Sequence, residues 1–281
     1  MTDEPNRQEV SASNSAGQPR TRASLGLRWI SALVLAPIAV LLTWWGGGFL
    51  HVMIAILAVL MAFEWNRLIF GSSGKWYFII HALISVTAIG LLHFELLQAS
   101  LLATLLGAIG IFIVSFILNR SLFWPCLGVV YTTLPCLGFA WIRSQPELGL
   151  GVAISLLFVV WATDTGAYFF GRTIGGPKLV PRLSPSKTWA GLVGAVCWAC
   201  VFAGGAAYIW GARPIVLFAV IGAVLGLLAQ VGDIAESAVK RHFNAKDTSG
   251  FIPGHGGVLD RLDGLMFAVL AVSLIMLSGS L

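Results

Sequence analysis

Twenty-nine charged side chains stand in this chain of 281 residues, and three clusters are spaced for chemistry. The first is W-A-T-D-T-G-A-Y at 161–168. Asp164 lies about seven residues short of the end of an apolar run, roughly 10 Å inside it at 1.5 Å per residue. Tyr168 follows one turn on along the same face. A carboxylate there either braces helix packing or takes part in function, and ionisable groups inside such runs are functional by default. The second cluster, 171–191, holds four cations and three prolines, with Ser184, Ser186 and Thr188 around Lys187. A stiff loop with fixed cations and hydroxyls, opening a helix at about Thr188, is arranged to clamp a phosphate. The alternative is a basic loop that touches anionic lipid head groups.

The third cluster runs from Gln230 to Asp263. On a helix, Gln230, Asp233, Glu236 or Ser237, and Lys240 form one stripe. Lys246, Asp247 and Pro253-Gly254-His255-Gly256-Gly257 follow, then Asp260 and Asp263 one turn apart. The segment from Asp233 to Asp260 returns the chain to the same surface, so these two can oppose one another there. Opposed carboxylates can hold a hard divalent cation through oxygen. The loop glycines permit close backbone approach to a phosphate. His255, set between glycine pairs, is placed to touch a substrate; no second His stands at ligand spacing. His51, His81 and His93 read as helix-surface or interfacial residues without chemistry.

These clusters need elements to hold them, and composition says which. The chain is 58% hydrophobic and 10% charged, with mean hydropathy +0.89. A soluble domain carries about a quarter charged residues. A soluble enzyme, a disordered chain and a nucleic-acid-binding domain are excluded despite the net charge of +5. Residues 1–24 read as a disordered polar tail. After them a ruler of about 20 residues per span places nine: 27–45, 48–66, 76–93, 96–119, 122–142, 148–171, 188–210, 214–236 and 263–280. Pro125 and Pro135 interrupt the fifth, and 96–142 could instead hold one span and a broken helix. The reading is an all-α, polytopic integral membrane protein of about nine helices. Its first half, 25–145, is followed by a catalytic region, 146–281, with inner loops 172–187 and 237–262. Small residues crowd the seventh and eighth spans (Gly191, Gly194, Gly204, Gly222, Gly226), which suggests close helix packing. The four cysteines lie in apolar runs and read as buried free thiols.

With the N-terminus inside, 15 of the 17 Lys and Arg fall on the inner side, leaving Arg143 and Arg213 outside. That is the positive-inside bias of a correctly divided membrane chain. The basic excess is therefore partly topology, and the three clusters share the inner face.

At 237–263 the segment SAVKRHFNAKDTSGFIPGHGGVLDRLD resembles the signature of phosphatidate cytidylyltransferases (CDP-diacylglycerol synthases). It keeps S-x-x-K-R, a K-D after four further residues, H-G-G, and D-R-x-D. SPSKTWAG at 184–191 is similar to that family's S-P-x-K-T-W loop. It departs at Ser186 and Ala190, where many relatives carry a basic and an acidic residue. The specific resemblance covers roughly the last 120 residues. It implies transfer of a cytidylyl group from CTP to phosphatidic acid, giving CDP-diacylglycerol and pyrophosphate. It also implies Mg²⁺ on Asp233 and Asp260, with Asp263 a nearby ligand or supporting group, Asp164 orienting the site, and a second cation left open. Lys240, Arg241, Lys246 and Arg261 would hold the triphosphate or pyrophosphate, and Ser184 and Lys187 a phosphate from the other loop. Ser237, Asp247, His255, Gly256 and Gly257 complete the implied substrate site. The expected partners are CTP, phosphatidic acid and the bilayer, with a homodimer open and no nucleic acid. The expected location is the cell (inner) membrane, with the site on the cytoplasmic side. Two rivals remain. A transporter would favour midplane carboxylates and matching halves, and another lipid-head-group transferase would share the Asp pair but not the K-R-x4-K-D spacing.

Overall fold

Apolar runs without charge must satisfy their own backbone groups, and in a membrane a helix does so within one segment. The computed structural model describes residues 22–251 and 256–279, and there the runs fold as α1 (Arg22–Trp45), α2 (Gly47–Phe70), α3 (Lys75–His93), α4 (Leu97–Ile117), α5 (Phe123–Ser144), α6 (Gly149–Thr173), α7 (Trp189–Ile209), α8 (Ile215–His242) and α9 (Leu259–Leu277). The protein is an all-α polytopic membrane protein. Among the described residues six segments are long and apolar enough to cross a bilayer. One of them, Gly47–His93, contains both α2 and α3, joined by the 3₁₀ turn Gly71–Gly74. α1 has a shorter apolar stretch, Leu33–Trp45. α9 carries Asp260, Arg261 and Asp263 in its opening turns, ahead of the apolar 264–277. Lipid-facing surface is evident on α4, where Leu102, Leu105, Leu106, Ile113, Phe116 and Ile117 are all exposed.

The fifth span is one helix, with Pro125 in its first turn and Pro135 inside it. Of the expected tail, residues 1–21 lie outside the described residues and 22–24 open α1. Two boundaries differ in a way that matters. α8 continues six residues beyond 236, because its polar stripe finds partners and Lys240, Arg241 and His242 suit the negative end of the helix dipole. α9 starts at Leu259, so the loop expected at 237–262 shrinks to 243–258. The other loop is not featureless. It forms an antiparallel hairpin of β1 (Lys178–Val180) and β2 (Ser184–Thr188), too short to show a period.

The main core joins α2, α5, α6 and α9 around Trp65, Leu137, Ile142, Leu156 and Val269. α6, α7 and α8 pack in sequence through small residues: Gly194 lies against Phe170, and Gly222 against the backbone of Ala199. A Cβ at Gly222 would stand 2.6 Å from the Ala199 carbonyl oxygen. Gly222→Ala is therefore expected to lower the thermal midpoint in detergent by several degrees, since overpacking costs about 1–3 kcal/mol and outweighs the better helix propensity of alanine. An unchanged midpoint would refute close α7–α8 contact.

Two minor expectations need correcting. His81 is not superficial: it is 1% exposed, and its ring nitrogens meet Asn66 Nδ2 at 3.0 Å and Thr132 Oγ1 at 2.9 Å. His51 is also buried, its Nδ1 against the Gly47 carbonyl at 2.8 Å. The His81 ring locks α3 to α2 and α5, whereas the His51 bond stays within α2. All four cysteines are free, but only Cys136 is buried: Cys126 and Cys200 are half-buried and Cys197 is exposed.

Candidate active site

One cavity of about 1280 Å³ gathers residues from α1, α2, α5, α6, β2, α7, α8 and α9. Its wall has two characters. Leu57, Met61, Phe139, Leu157, Met266 and Val269 make an apolar part, whereas six acids and four cations border the polar part. The acids are Asp164, Asp233, Glu236, Asp247, Asp260 and Asp263; the cations are Arg172, Lys187, Lys240 and Arg261. In so charge-poor a chain this is a concentrated polar site against an apolar wall. It can take a molecule that is highly charged at one end and hydrocarbon at the other.

α8 supplies the central stripe. Its spacing of three and four residues aligns Gln230, Asp233, Glu236 and Lys240 on the cavity. Lys187 reaches this stripe from β2: its Nζ lies 2.7 Å from Asp233 Oδ2 and donates to Gln230 Oε1 at 2.8 Å. The hairpin makes this reach possible. Lys187 is the last strand residue before Thr188, whose hydroxyl caps α7 by accepting from the Gly191 N–H at 3.1 Å. Lys240 makes the second bridge, 2.9 Å from Glu236 Oε2 and 2.8 Å from Asp260 Oδ1.

Both oxygens of Asp260 are engaged by the protein, Oδ2 by three donors and Oδ1 by one. Its Oδ1 takes the Lys240 ammonium, and its Oδ2 accepts from the Gly257 N–H at 2.8 Å and from the N–H and hydroxyl of Thr248, each at 3.2 Å. Burial alone would raise this carboxyl, but Glu236, the Lys240 ammonium and the Gly257 amide outweigh it and hold Asp260 down at about 2. It is an anion at any physiological pH.

The chain matches the Cytidylyltransferase family over residues 26–278. The chain belongs to this family. It is 37% identical over 278 residues to a phosphatidate cytidylyltransferase of Brucella suis biovar 1 (strain 1330), covering 92% of this chain and 94% of that protein. A phosphatidate cytidylyltransferase of Bacillus subtilis (strain 168) is 37% identical over 144 residues, 51% of this chain and 54% of that one. The chain is thus a multi-pass membrane nucleotidyltransferase, and the bipartite cavity belongs to a cytidylyltransferase.

Of the residues singled out from the sequence, Asp164, Ser184, Lys187, Asp233, Lys240, Asp247, Asp260, Arg261 and Asp263 all line the cavity. Ser237, Arg241 and Lys246 do not; Arg241 turns away to donate to the Ala245 carbonyl at 3.0 Å. Glu236, not Ser237, is the stripe member that faces inward. His255 lies outside the described residues. Gly256 and Gly257 have a structural reason of their own. A Cβ on Gly256 would sit 2.8 Å from Asp260 Oδ2, and one on Gly257 would collide with the Thr248 hydroxyl and approach both Glu64 oxygens to 2.8 Å. Sequence reading passed over Glu64 entirely, although an acid inside an apolar span was the available signal.

The donor chemistry fits a hard divalent cation. Carboxylates outnumber cations on the wall by two. Asp164, Asp233 and Asp263 stand close enough for their charges to act on one another. Glu236 Oε1 is buried without a hydrogen-bond partner. Among the described residues no three such groups converge tightly on one point, and two ammonium groups stand among them.

Proposed function

We propose that this protein transfers the cytidylyl group of CTP to phosphatidic acid, giving CDP-diacylglycerol and pyrophosphate at the cytoplasmic face of the cell membrane. The observation that carries this reading is the bipartite cavity: a nucleotide's phosphates suit the charged part, and a diacyl lipid suits the wall of Leu57, Met61, Phe139 and Leu157. The names borne by relatives of full length agree with it.

Phosphatidate is already an anion at neutral pH, so its phosphate oxygen attacks the α-phosphorus of CTP without a general base. The oxygen bridging the α- and β-phosphorus leaves with pyrophosphate. Two anions must meet, and the work of the site is charge neutralisation and in-line positioning. Lys187 and Lys240, each held at the cavity by carboxylates, bring fixed ammonium groups to the phosphates, and Ser184 and Arg261 border the same space. Asp233 and Asp260 would hold Mg²⁺, with Asp263 beside them, and the excess of carboxylates leaves room for a second cation. The ion would supply further neutralisation of the triphosphate.

Purified protein in detergent, given phosphatidate, Mg²⁺ and CTP labelled in the α-phosphate, is expected to place label in the lipid phase and release pyrophosphate in equal amount. Folded protein that labels no lipid would overturn the reading.

A further inference from the structure

Glu64 sits on α2, in the half of the chain that otherwise supplies apolar scaffold, and it is 0% exposed. Burying a charge is costly unless the group is paired or fully hydrogen-bonded. Among the described residues no ion pair joins it. Its oxygens are instead filled by four donors from one distant loop. Oε1 accepts from the Val258 N–H at 2.9 Å and from the Ser249 hydroxyl, while Oε2 accepts from the Leu259 N–H at 2.7 Å and from the Thr248 hydroxyl at 3.2 Å.

We propose that Glu64 is a positioning residue for catalysis, a clasp that binds both ends of the 249–258 loop and so presents Asp260 and Lys240 to the cavity. This rests on the transferase reading above. Three features carry it. First, Val258 and Leu259 open α9, where the amides lack helical partners and attract an anion. A neighbouring Ser or Asp would suffice to cap the helix; this acceptor comes from 194 residues upstream. Second, the same carboxylate also takes Thr248 and Ser249, so it ties the loop's entry to its exit. Third, Thr248 links the clasp to the site: its hydroxyl lies 3.2 Å from Glu64 Oε2 and 3.2 Å from Asp260 Oδ2. That hydroxyl has one proton and serves one acceptor at a time, while the Thr248 N–H keeps hold of Asp260. Asp260 in turn holds Lys240. Moving Glu64 therefore moves the two charged groups of the reaction.

Glu64→Gln keeps the shape but aims an amide NH₂ at backbone N–H donors. It is expected to lower kcat for CDP-diacylglycerol formation about 10- to 100-fold, with the KM values for CTP and phosphatidate nearly unchanged, because small misplacements of reacting groups carry penalties of this size. Hydrogen exchange at the Val258 and Leu259 amides should accelerate at least about tenfold. Glu64→Asp, which restores the charge, should recover part of the lost kcat relative to Gln. Ser249→Ala is the mild variant that keeps the idea testable if Glu64 variants fail to fold; it should lower kcat several-fold. Variants with wild-type kcat per folded molecule would overturn the catalytic role, and exchange rates unchanged in Glu64→Gln would overturn the clasp itself. A wild-type protein that labels no lipid would instead defeat the transferase reading, leaving the exchange result to judge the clasp alone.

Discussion

Lys240→Met is expected to be both inactive and markedly less stable. The Lys240 ammonium bridges Glu236 Oε2 and Asp260 Oδ1, and the three side chains are only 13%, 2% and 6% exposed. Removing the ammonium leaves two buried carboxylates facing each other. Breaking a buried pair in this way costs about 3–5 kcal/mol. The thermal midpoint in detergent, followed by the fluorescence of the 11 tryptophans, should fall by many degrees. The double substitution Lys240→Met, Glu236→Gln removes one of the stranded charges and should regain much of the stability. It should regain no lipid labelling, because the ammonium needed at the phosphates is still missing. A single variant with a wild-type midpoint would show that the bridge contributes nothing; a double variant with restored labelling would remove Lys240 from the reaction.

The second large effect separates chemistry from folding. Asp233→Asn should reduce CDP-diacylglycerol formation by about 100-fold or more, the scale seen when one preorganised polar group is removed from a charged transition state. Its thermal midpoint should hardly move. Asn keeps an oxygen for Lys187, and Gln230 Oε1 retains its own contact with that ammonium at 2.8 Å. Asp233 is also the more accessible member of its pair, with its side chain 38% exposed. Residual activity should require a higher Mg²⁺ concentration than the wild type. An Asn variant that keeps full activity would show that Asp233 is a packing carboxylate and take it out of cation binding.

The two lysines give the site a common logic. Each ammonium already rests between oxygen acceptors on α8 and a second element, Lys187 from β2 and Lys240 toward α9. The positive charge needed for two converging anions is thus built in before substrate arrives, and little reorganisation is left for the reaction. The neighbouring acids hold the ammonium groups in place within an apolar surround, where an isolated lysine would be costly. Asp260 serves the same end from the first turn of α9, as an anion secured by four contacts.

Much of this was written in the order of residues. Low charge and long apolar runs specify a helical membrane protein, because backbone groups in lipid have few other ways to be satisfied. The 3.6-residue period alone aligns Gln230, Asp233, Glu236 or Ser237, and Lys240, and spacing alone puts Lys187 beside a helix cap. Local periodicity cannot say which of two adjacent stripe members faces inward, so Glu236 and Ser237 were separable only by the packing of α8. Nor can it find the β1–β2 hairpin, whose strands are too short to show alternation, or the true ends of α8 and α9, which extend because distant groups meet them. Glu64 is the clearest case: its partners lie nearly 200 residues away, and only the packing of α2 against the start of α9 turns a lone acid in an apolar helix into the clasp of a loop. Short-range order is set by patterns a single helix repeats. The closing contacts of the site join segments far apart in the chain, and those exist only once the bundle has formed.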